Sequence, residues 1–237
     1  MCGRYDQNDT ARILASSFGW TDAVFDSEAG PQLNVSPGTY RPVMHIEHGV
    51  HRVDDVFWGY RPAWAAVPAP GKKKIPIAIN ARLEKLAGAY WKPLLRAGRG
   101  IVCANGWYEW TGEKGSKQPW HIHRQDGQPL FLLALAHFGP FTQQREESGF
   151  VLVTADSLGG MVDIHDRRPV AVSREDAHRW LDPALTPEAA LHLARSCMLD
   201  AALFAWHAVD HPLAPGTRAT KATAPATAQA SFDWSAD

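Results

Sequence analysis

Three stretches of this chain are almost wholly apolar: Ile101 to Ala104, Leu130 to Ala136 and Phe150 to Thr154. Runs of this kind read as buried strands of a sheet, because an exposed strand face would alternate with polar residues. The rest of the chain arranges itself around them. Val43 to Ile46 and Val50 to Val53 read as a hairpin pair, and Val56-Phe57-Trp58-Gly59-Tyr60 as a further short segment. Ile75 to Asn80 alternates as a strand with its isoleucines on one face and Ala78, Asn80 and Arg82 on the other. Asn105-Gly106 is a tight-turn dipeptide leading into the strand Trp107 to Trp110. Trp120 to His123 and Leu130 to Ala136 flank Asp126-Gly127 as a hairpin, and Phe204 to Val209 forms a last strand. Helical spacing appears from Asp9 to Phe18, with Asn8 or Asp9 as cap, and at Leu83, Leu86 and Tyr90, ending before Pro93. Ser173 caps a helix running to about Leu181, and Thr186-Pro187 opens another. Strands mixed with helices and no repeat give a single α+β domain over residues 1–212. From Leu213 the sequence turns to Ala, Thr, Pro and Lys, too poor in apolar residues to pack, so 213–237 is expected to be a disordered tail.

Charge and cysteine usage narrow the function classes. The formal net charge is −1, so no global field draws in nucleic acid, and any DNA contact needs a local basic patch. Three scattered cysteines, Cys2, Cys103 and Cys197, argue against a disulfide framework and for a reducing compartment. No apolar run approaches a membrane span. The ten tryptophans exceed what a core needs, and flat apolar surface suits base stacking; Trp58 and Trp110 are the stacking candidates.

The chemistry begins at Met1-Cys2-Gly3-Arg4-Tyr5. Removal of Met1 would leave a free 1,2-aminothiol, with an α-amine of pKa near ~7.7 beside a thiol of pKa near ~8.5. An aldehyde meeting such a group forms an imine with the amine, and the thiol then closes onto the imine carbon to give a thiazolidine. Asn80 ends its strand, where it could hold an amine or a sugar hydroxyl, or simply cap the next helix. Glu109 shares a strand face with Trp107; it is either an edge glutamate or a carboxyl whose pKa an apolar wall raises for general acid work. His165 lies between two aspartates in Asp163-Ile164-His165-Asp166-Arg167-Arg168, either an acid–base group or part of a loop ion-pair cluster. Arg4, Arg82, Arg167 and Arg168, with Lys72, Lys73 and Lys74, are candidate phosphate contacts, although the lysine run also reads as a solvated loop. His121 and His123 share a strand face and suggest a metal site with Cys103, but no CxxC or HExxH accompanies them, so the expectation is no metal and no cofactor.

Taken together, Met1-Cys2-Gly3-Arg4-Tyr5, Asn34-Val35-Ser36-Pro37-Gly38, Trp58-Gly59-Tyr60, Asn80-Ala81-Arg82, Gly106-Trp107-Tyr108-Glu109-Trp110 and Asp163-Ile164-His165-Asp166-Arg167-Arg168-Pro169 closely resemble the SRAP family of SOS-response-associated, abasic-site processing proteins. The resemblance runs in order from Cys2 to about Val209 and implies a compact α+β fold with a mixed, partly barrel-like sheet and a basic cleft. It implies a protein that binds single-stranded DNA containing an abasic site and crosslinks Cys2 to the ring-opened sugar as a thiazolidine, with associated Schiff-base lyase chemistry. In those terms Asn80 positions the amine and the sugar, Glu109 assists ring opening, His165 assists proton transfers, and Arg4 and Arg82 hold flanking phosphates. An older reading of the family is a cysteine-type peptidase, at least for removal of its own Met1; a non-catalytic single-strand binding module is the other alternative. Ser36 stands where alanine is commoner, and Leu83-Glu84-Lys85 where alanine, glutamate and threonine are commoner. The expected protein is a cytoplasmic monomer, nucleoid-associated when on DNA.

Overall fold

The structure, a computed structural model, describes residues 2–67, 71, 73–138 and 148–210. Within them the chain is a mixed α+β fold built on two sheets. Elements in chain order are β1 (Tyr5–Gln7), α1 (Ala11–Phe18), β2 (Val24–Asp26), β3 (Gln32–Val35), β4 (Tyr40–Glu47), β5 (Val50–Trp58), α2 (Ala63–Ala66), β6 (Asn80–Arg82), α3 (Lys92–Ala97), β7 (Arg99–Ala104), β8 (Gly106–Thr111), β9 (Gln118–Arg124), β10 (Leu130–Ala136), β11 (Gly149–Asp156), β12 (Arg167–Pro169), β13 (Ala171–Val172), α4 (Arg174–Leu181), α5 (Pro187–Ser196) and β14 (Phe204–Ala208).

The three apolar runs are β7, β10 and β11, and each is apolar because both of its faces are covered. Alternate residues divide between two cores. Ile101, Cys103, Leu133, Leu135, Val151 and Val153 pack against the helices, among Phe18, Leu94, Trp180 and Leu193. Val102, Ala104, Leu132, Ala134, Phe150 and Leu152 face the second sheet, among Tyr5, Trp58, Trp107 and Ile122. The larger sheet runs β12-β11-β10-β7-β4-β5-β2, and β11 meets β5 again in parallel at Gly149↔Phe57 and Phe150↔Trp58, so the sheet is ring-like but not closed. The smaller sheet runs β14-β9-β8-β1-β3 and packs over the second core. Gly149 sits at the rejoining point, and a Cβ there would land on the Gly59 carbonyl oxygen. Backbone cannot yield as a side chain does, so Gly149→Ala is expected to cost about 3 kcal/mol. Chemical denaturation that leaves the midpoint unmoved would contradict this.

Several local expectations shift. Thr10, not Asn8 or Asp9, caps α1 by accepting from the Ile13 N–H. Val56 to Trp58 continues β5 rather than forming a segment of its own. Ile75 to Ile79 is not a strand: Asn80–Arg82 pairs parallel to Leu152–Thr154, Ala78 makes an isolated bridge to Tyr60, and Ile75 and Ile77 are exposed. Leu83 to Lys85 is a single 3-10 turn, and Pro93 begins α3 instead of following a helix, since proline suits the first turn. Asn105-Gly106 is a crossing from the larger sheet to the smaller: β7 pairs with β10 and β4, β8 with β1 and β9. For the same reason Asp126-Gly127 does not join a hairpin, because β9 and β10 belong to different sheets. Ser173 and Thr186 cap α4 and α5 as expected. The 213–237 tail and Lys72 lie outside the described residues. Among the described residues no helix is long and apolar enough to cross a membrane.

Candidate active site

β1 is the shortest central strand of the smaller sheet, held between β3 and β8. This placement carries Cys2, just before it, into the core between the sheets, where the residue is fully buried. β6 brings Asn80 alongside, and its Nδ2 donates to the Cys2 carbonyl at 2.8 Å. The other half of that amide, Oδ1, is buried with no partner among the described residues. An acceptor without a donor costs free energy unless something supplies one. A free amine on the neighbouring residue is a group of the right kind.

β8 alternates as expected. Trp107 and Glu109 face inward together, and Glu109 is 2% exposed. Burial raises its carboxyl to about 7, and the positive charge of the amino terminus works against that rise. His165 follows the 3-10 turn Gly159–Asp163, and its Nε2 stands 3.9 Å from Glu109 Oε2, close enough for charge interaction though not for a hydrogen bond. Its Nδ1 meets two groups: the Arg167 backbone N–H at 3.0 Å and an Asp166 carboxylate oxygen at 2.8 Å. Nδ1 accepts from the first when the ring is neutral and donates to the second when it is protonated. Asp166 is exposed, so solvent screens the second arrangement. Burial lowers the His165 pKa, as does the amino-terminal charge, while Asp166 raises it. A carboxyl moved up and an imidazole moved down sit side by side, so their proton affinities are drawn toward one another.

The Cys2 thiol is the opposite of an activated thiolate. Burial first, and then the Glu109 carboxylate, push its ionisation far up, and its sulfur makes only a long contact, 3.8 Å, to the Arg4 carbonyl. Cys103 is likewise buried and apolar in setting, its sulfur against Met44 in the core under the helices, whereas His121 and His123 lie on β9 and in neither core.

The proposed DNA contacts separate into two groups. Trp58 is fully enclosed, with its indole N–H donating to the Ile79 carbonyl at 2.9 Å, so neither ring face is open to a base; here the stacking expectation is corrected. Trp110 is half-buried in β8. Arg167 is also buried and is neutralised inside the protein by Glu84 and Asp156, so it is not a free phosphate contact. Arg168 is 3% exposed, yet its guanidinium has no hydrogen bond or ion pair among the described residues; it lies over the Phe204 ring at 5.9 Å and lines a small cleft with Glu109 and His165. Arg4 is half-buried with its Nη1 donating to Asn34 at 3.5 Å, while Arg82, Lys73 and Lys74 are exposed. Among the described residues the open tryptophan ring is Trp64 of α2, 66% exposed. Tyr60, four residues before Trp64, and Ala78, two residues before Asn80, exchange backbone hydrogen bonds. In the sequence, residue type alone does not separate Trp64 from Trp58.

Comparison with known proteins identifies relatives over most of the chain. The sequence profile of the family described as SOS response associated peptidase (SRAP) matches residues 1–214. The abasic site processing protein YedK of Escherichia coli (strain K12) is 40% identical over 216 residues, 89% of this chain and 92% of YedK. The abasic site processing protein HMCES of Xenopus tropicalis is 29% identical over 196 residues, 69% of this chain and 57% of that longer protein. Among solved structures, a phage-related protein of Bordetella bronchiseptica superposes with a TM-score of 0.74 at 36% identity, covering 89% of this chain and 95% of that one. A Bacteroides thetaiotaomicron protein at 18% identity and a TM-score of 0.68, covering 88% of this chain and 92% of that one, shares the fold.

Proposed function

The chain belongs to the SOS response associated peptidase (SRAP) family, and from that premise we propose that it processes abasic sites by bonding Cys2 to the ring-opened sugar in single-stranded DNA. The observation that carries this reading is the convergence of Asn80 and Glu109 on Cys2, with His165 against Glu109. Once Met1 is gone, the Cys2 α-amine is the nucleophile that the site serves. Glu109, protonated near neutral pH, gives its proton to the ring oxygen of the abasic sugar as the C1′ hydroxyl loses its own, and the aldehyde opens. The amine adds to the aldehyde carbon and water leaves, giving an imine. The S–H then adds across C=N: sulfur bonds to carbon and its proton goes to nitrogen. Asn80 Oδ1 is the acceptor for an amine proton during these steps. His165 moves protons in the same Schiff-base chemistry, including removal of the C2′ proton when the 3′ phosphate is eliminated.

A thiol peptidase fits less well. It needs a sulfur that ionises readily, and the setting of Cys2 drives ionisation the other way. Imine first, thiol second, asks only for a neutral S–H.

Intact mass of the purified protein with and without an abasic oligonucleotide tests the reading. The expected product is protein lacking Met1 plus oligonucleotide minus one water. Protein that lacks Met1 and stays unmodified would overturn it.

For the strand itself, the exposed Trp64 ring, with Lys73, Lys74 and Arg82 nearby in the chain, supplies a stacking platform and basic groups despite the net charge of −1. Trp64→Ala is expected to weaken binding of intact single-stranded DNA by about 1–3 kcal/mol, on the order of 5- to 150-fold. Fluorescence anisotropy at fixed salt reads this directly, and unchanged affinity would remove Trp64 from the interface.

A further inference from the structure

The outer face of the smaller sheet, turned away from Glu109, holds a side-chain cluster that the abasic-site reading does not use. His121 and His123 lie two residues apart on β9 and therefore share a face. His207 of β14 stands directly opposite His121 in the antiparallel register. The three ring centroids form a nearly equilateral triangle, with separations of 5.4, 5.4 and 5.5 Å. Each ring presents one nitrogen, and these three nitrogens lie within 4.8 Å of one another.

We propose that His121, His123 and His207 form a binding site for a divalent transition-metal ion of the zinc type. Zinc takes imidazole nitrogens at about 2.0–2.1 Å, which sets nitrogen–nitrogen separations of about 3.4 Å in a tetrahedron. The present spacing closes to that value through the broad terminal torsion of each histidine, without backbone movement. All three donors are imidazoles, a set that suits zinc, copper and nickel rather than calcium or magnesium.

Two of the three rings are also held from behind, as is usual for ligating histidines. The buried Asp6 carboxylate contacts His121 Nε2 at 3.2 Å. His123 Nδ1 donates to the Arg124 carbonyl at 2.9 Å, which fixes the tautomer and leaves Nε2 with its lone pair. Gly106 gives the His121 ring its room, since a Cβ there would collide with Nε2. The fourth position opens outward for water. Such an ion would tie the edge strand β14 to β9. Cys103, the ligand that the sequence suggested, plays no part; His207 replaces it, 84 positions from the nearer of the other two.

The test uses tag-free full-length protein, stripped with a chelator and without DNA, titrated with zinc chloride by calorimetry. One ion per chain is expected, with a rise in the thermal midpoint. Cobalt(II) is expected to give the visible bands of a four-coordinate site. His123→Ala and His207→Ala should each weaken zinc binding at least tenfold while leaving the far-ultraviolet dichroism unchanged. Wild-type protein that binds no zinc, or binding that survives both substitutions, overturns the proposal. The wild-type titration decides the matter even if a variant fails to fold, and because no DNA is present its outcome is independent of the abasic-site reading.

Discussion

Protein that retains Met1 forms no denaturation-resistant adduct with single-stranded abasic DNA, while protein lacking Met1 forms one. An amide nitrogen cannot condense with an aldehyde, and without the imine there is no carbon for the thiol to close on. The expected loss of the stable adduct is complete, because the terminal amine of Met1 can at most form a reversible imine and is one residue removed from the Cys2 thiol, so no five-membered ring can close. Cys2→Ala separates the two halves of the reaction. Its terminal alanine still offers an amine, so a borohydride-reducible imine should persist while the stable thiazolidine disappears. Denaturing gels with and without reductant distinguish the cases. A stable adduct on the Met1-retaining chain, or on Cys2→Ala without reductant, is the result that cannot be reconciled with this chemistry.

The second large effect is at Glu109. Removal of a positioned general acid typically slows a reaction by about 100- to 10,000-fold, and Glu109→Gln should slow adduct formation within that range. The pH profile gives the more specific signature. The amine must be unprotonated, which favours higher pH, and the Glu109 carboxyl must hold its proton, which favours pH below about 7. Wild type is therefore expected to show a rate maximum near neutrality, and the glutamine variant to lose the descending limb. Stability moves the other way. The folded carboxyl, at about 7, lies above its ordinary value of 4.5, so between those values the folded chain holds a proton that the unfolded chain has released. Stability then falls as pH rises through that window, by about 3 kcal/mol at most. Glu109→Gln removes this penalty, so the slow variant should be the more stable one at pH 8 and indistinguishable from wild type near pH 4. Denaturant midpoints at the two pH values measure it, and a variant less stable at pH 8 would contradict the assignment.

The parts of the fold legible in sequence are those whose signal comes from burial. β7, β10 and β11 read as strands because both of their faces meet a core. The caps Ser173 and Thr186 read correctly because a hydroxyl satisfies a helix's first N–H groups locally. Pairing was legible for the short hairpin of β4 and β5, where Val43 to Ile46 and Val50 to Val53 pair as read, but not farther along the chain. Asp126-Gly127 does reverse the chain, yet the two strands that it joins go to different sheets, and turn chemistry reports a change of direction without naming a partner. Ile75 to Ile79 alternates like a strand while much of it faces solvent, so periodicity there reflects no buried face.

At the site, Cys2, Asn80, Glu109 and His165 each had an ordinary alternative when read singly, and only their order along the chain selected them. The structure brings Asn80 and Glu109 to Cys2, and His165 to Glu109. Exposure is what sequence could not assign: Trp58 and Trp64 are six positions apart, one sealed and one open. Arg167 and Arg168 are adjacent and both buried, but among the described residues Arg167 has carboxylates at ion-pair distance, whereas Arg168 feels the Asp200 charge without an ion pair.

The enclosure of Cys2 between the sheets bears on how long a captured lesion lasts. A sugar joined there would be withdrawn from bulk water into the protein's interior, so the bond would outlive its exposed chemical counterpart for lack of an attacking molecule. Release would then depend on protons delivered from within by Glu109 and on the water that passes between the two sheets, so the interior rather than the solvent would set its pace.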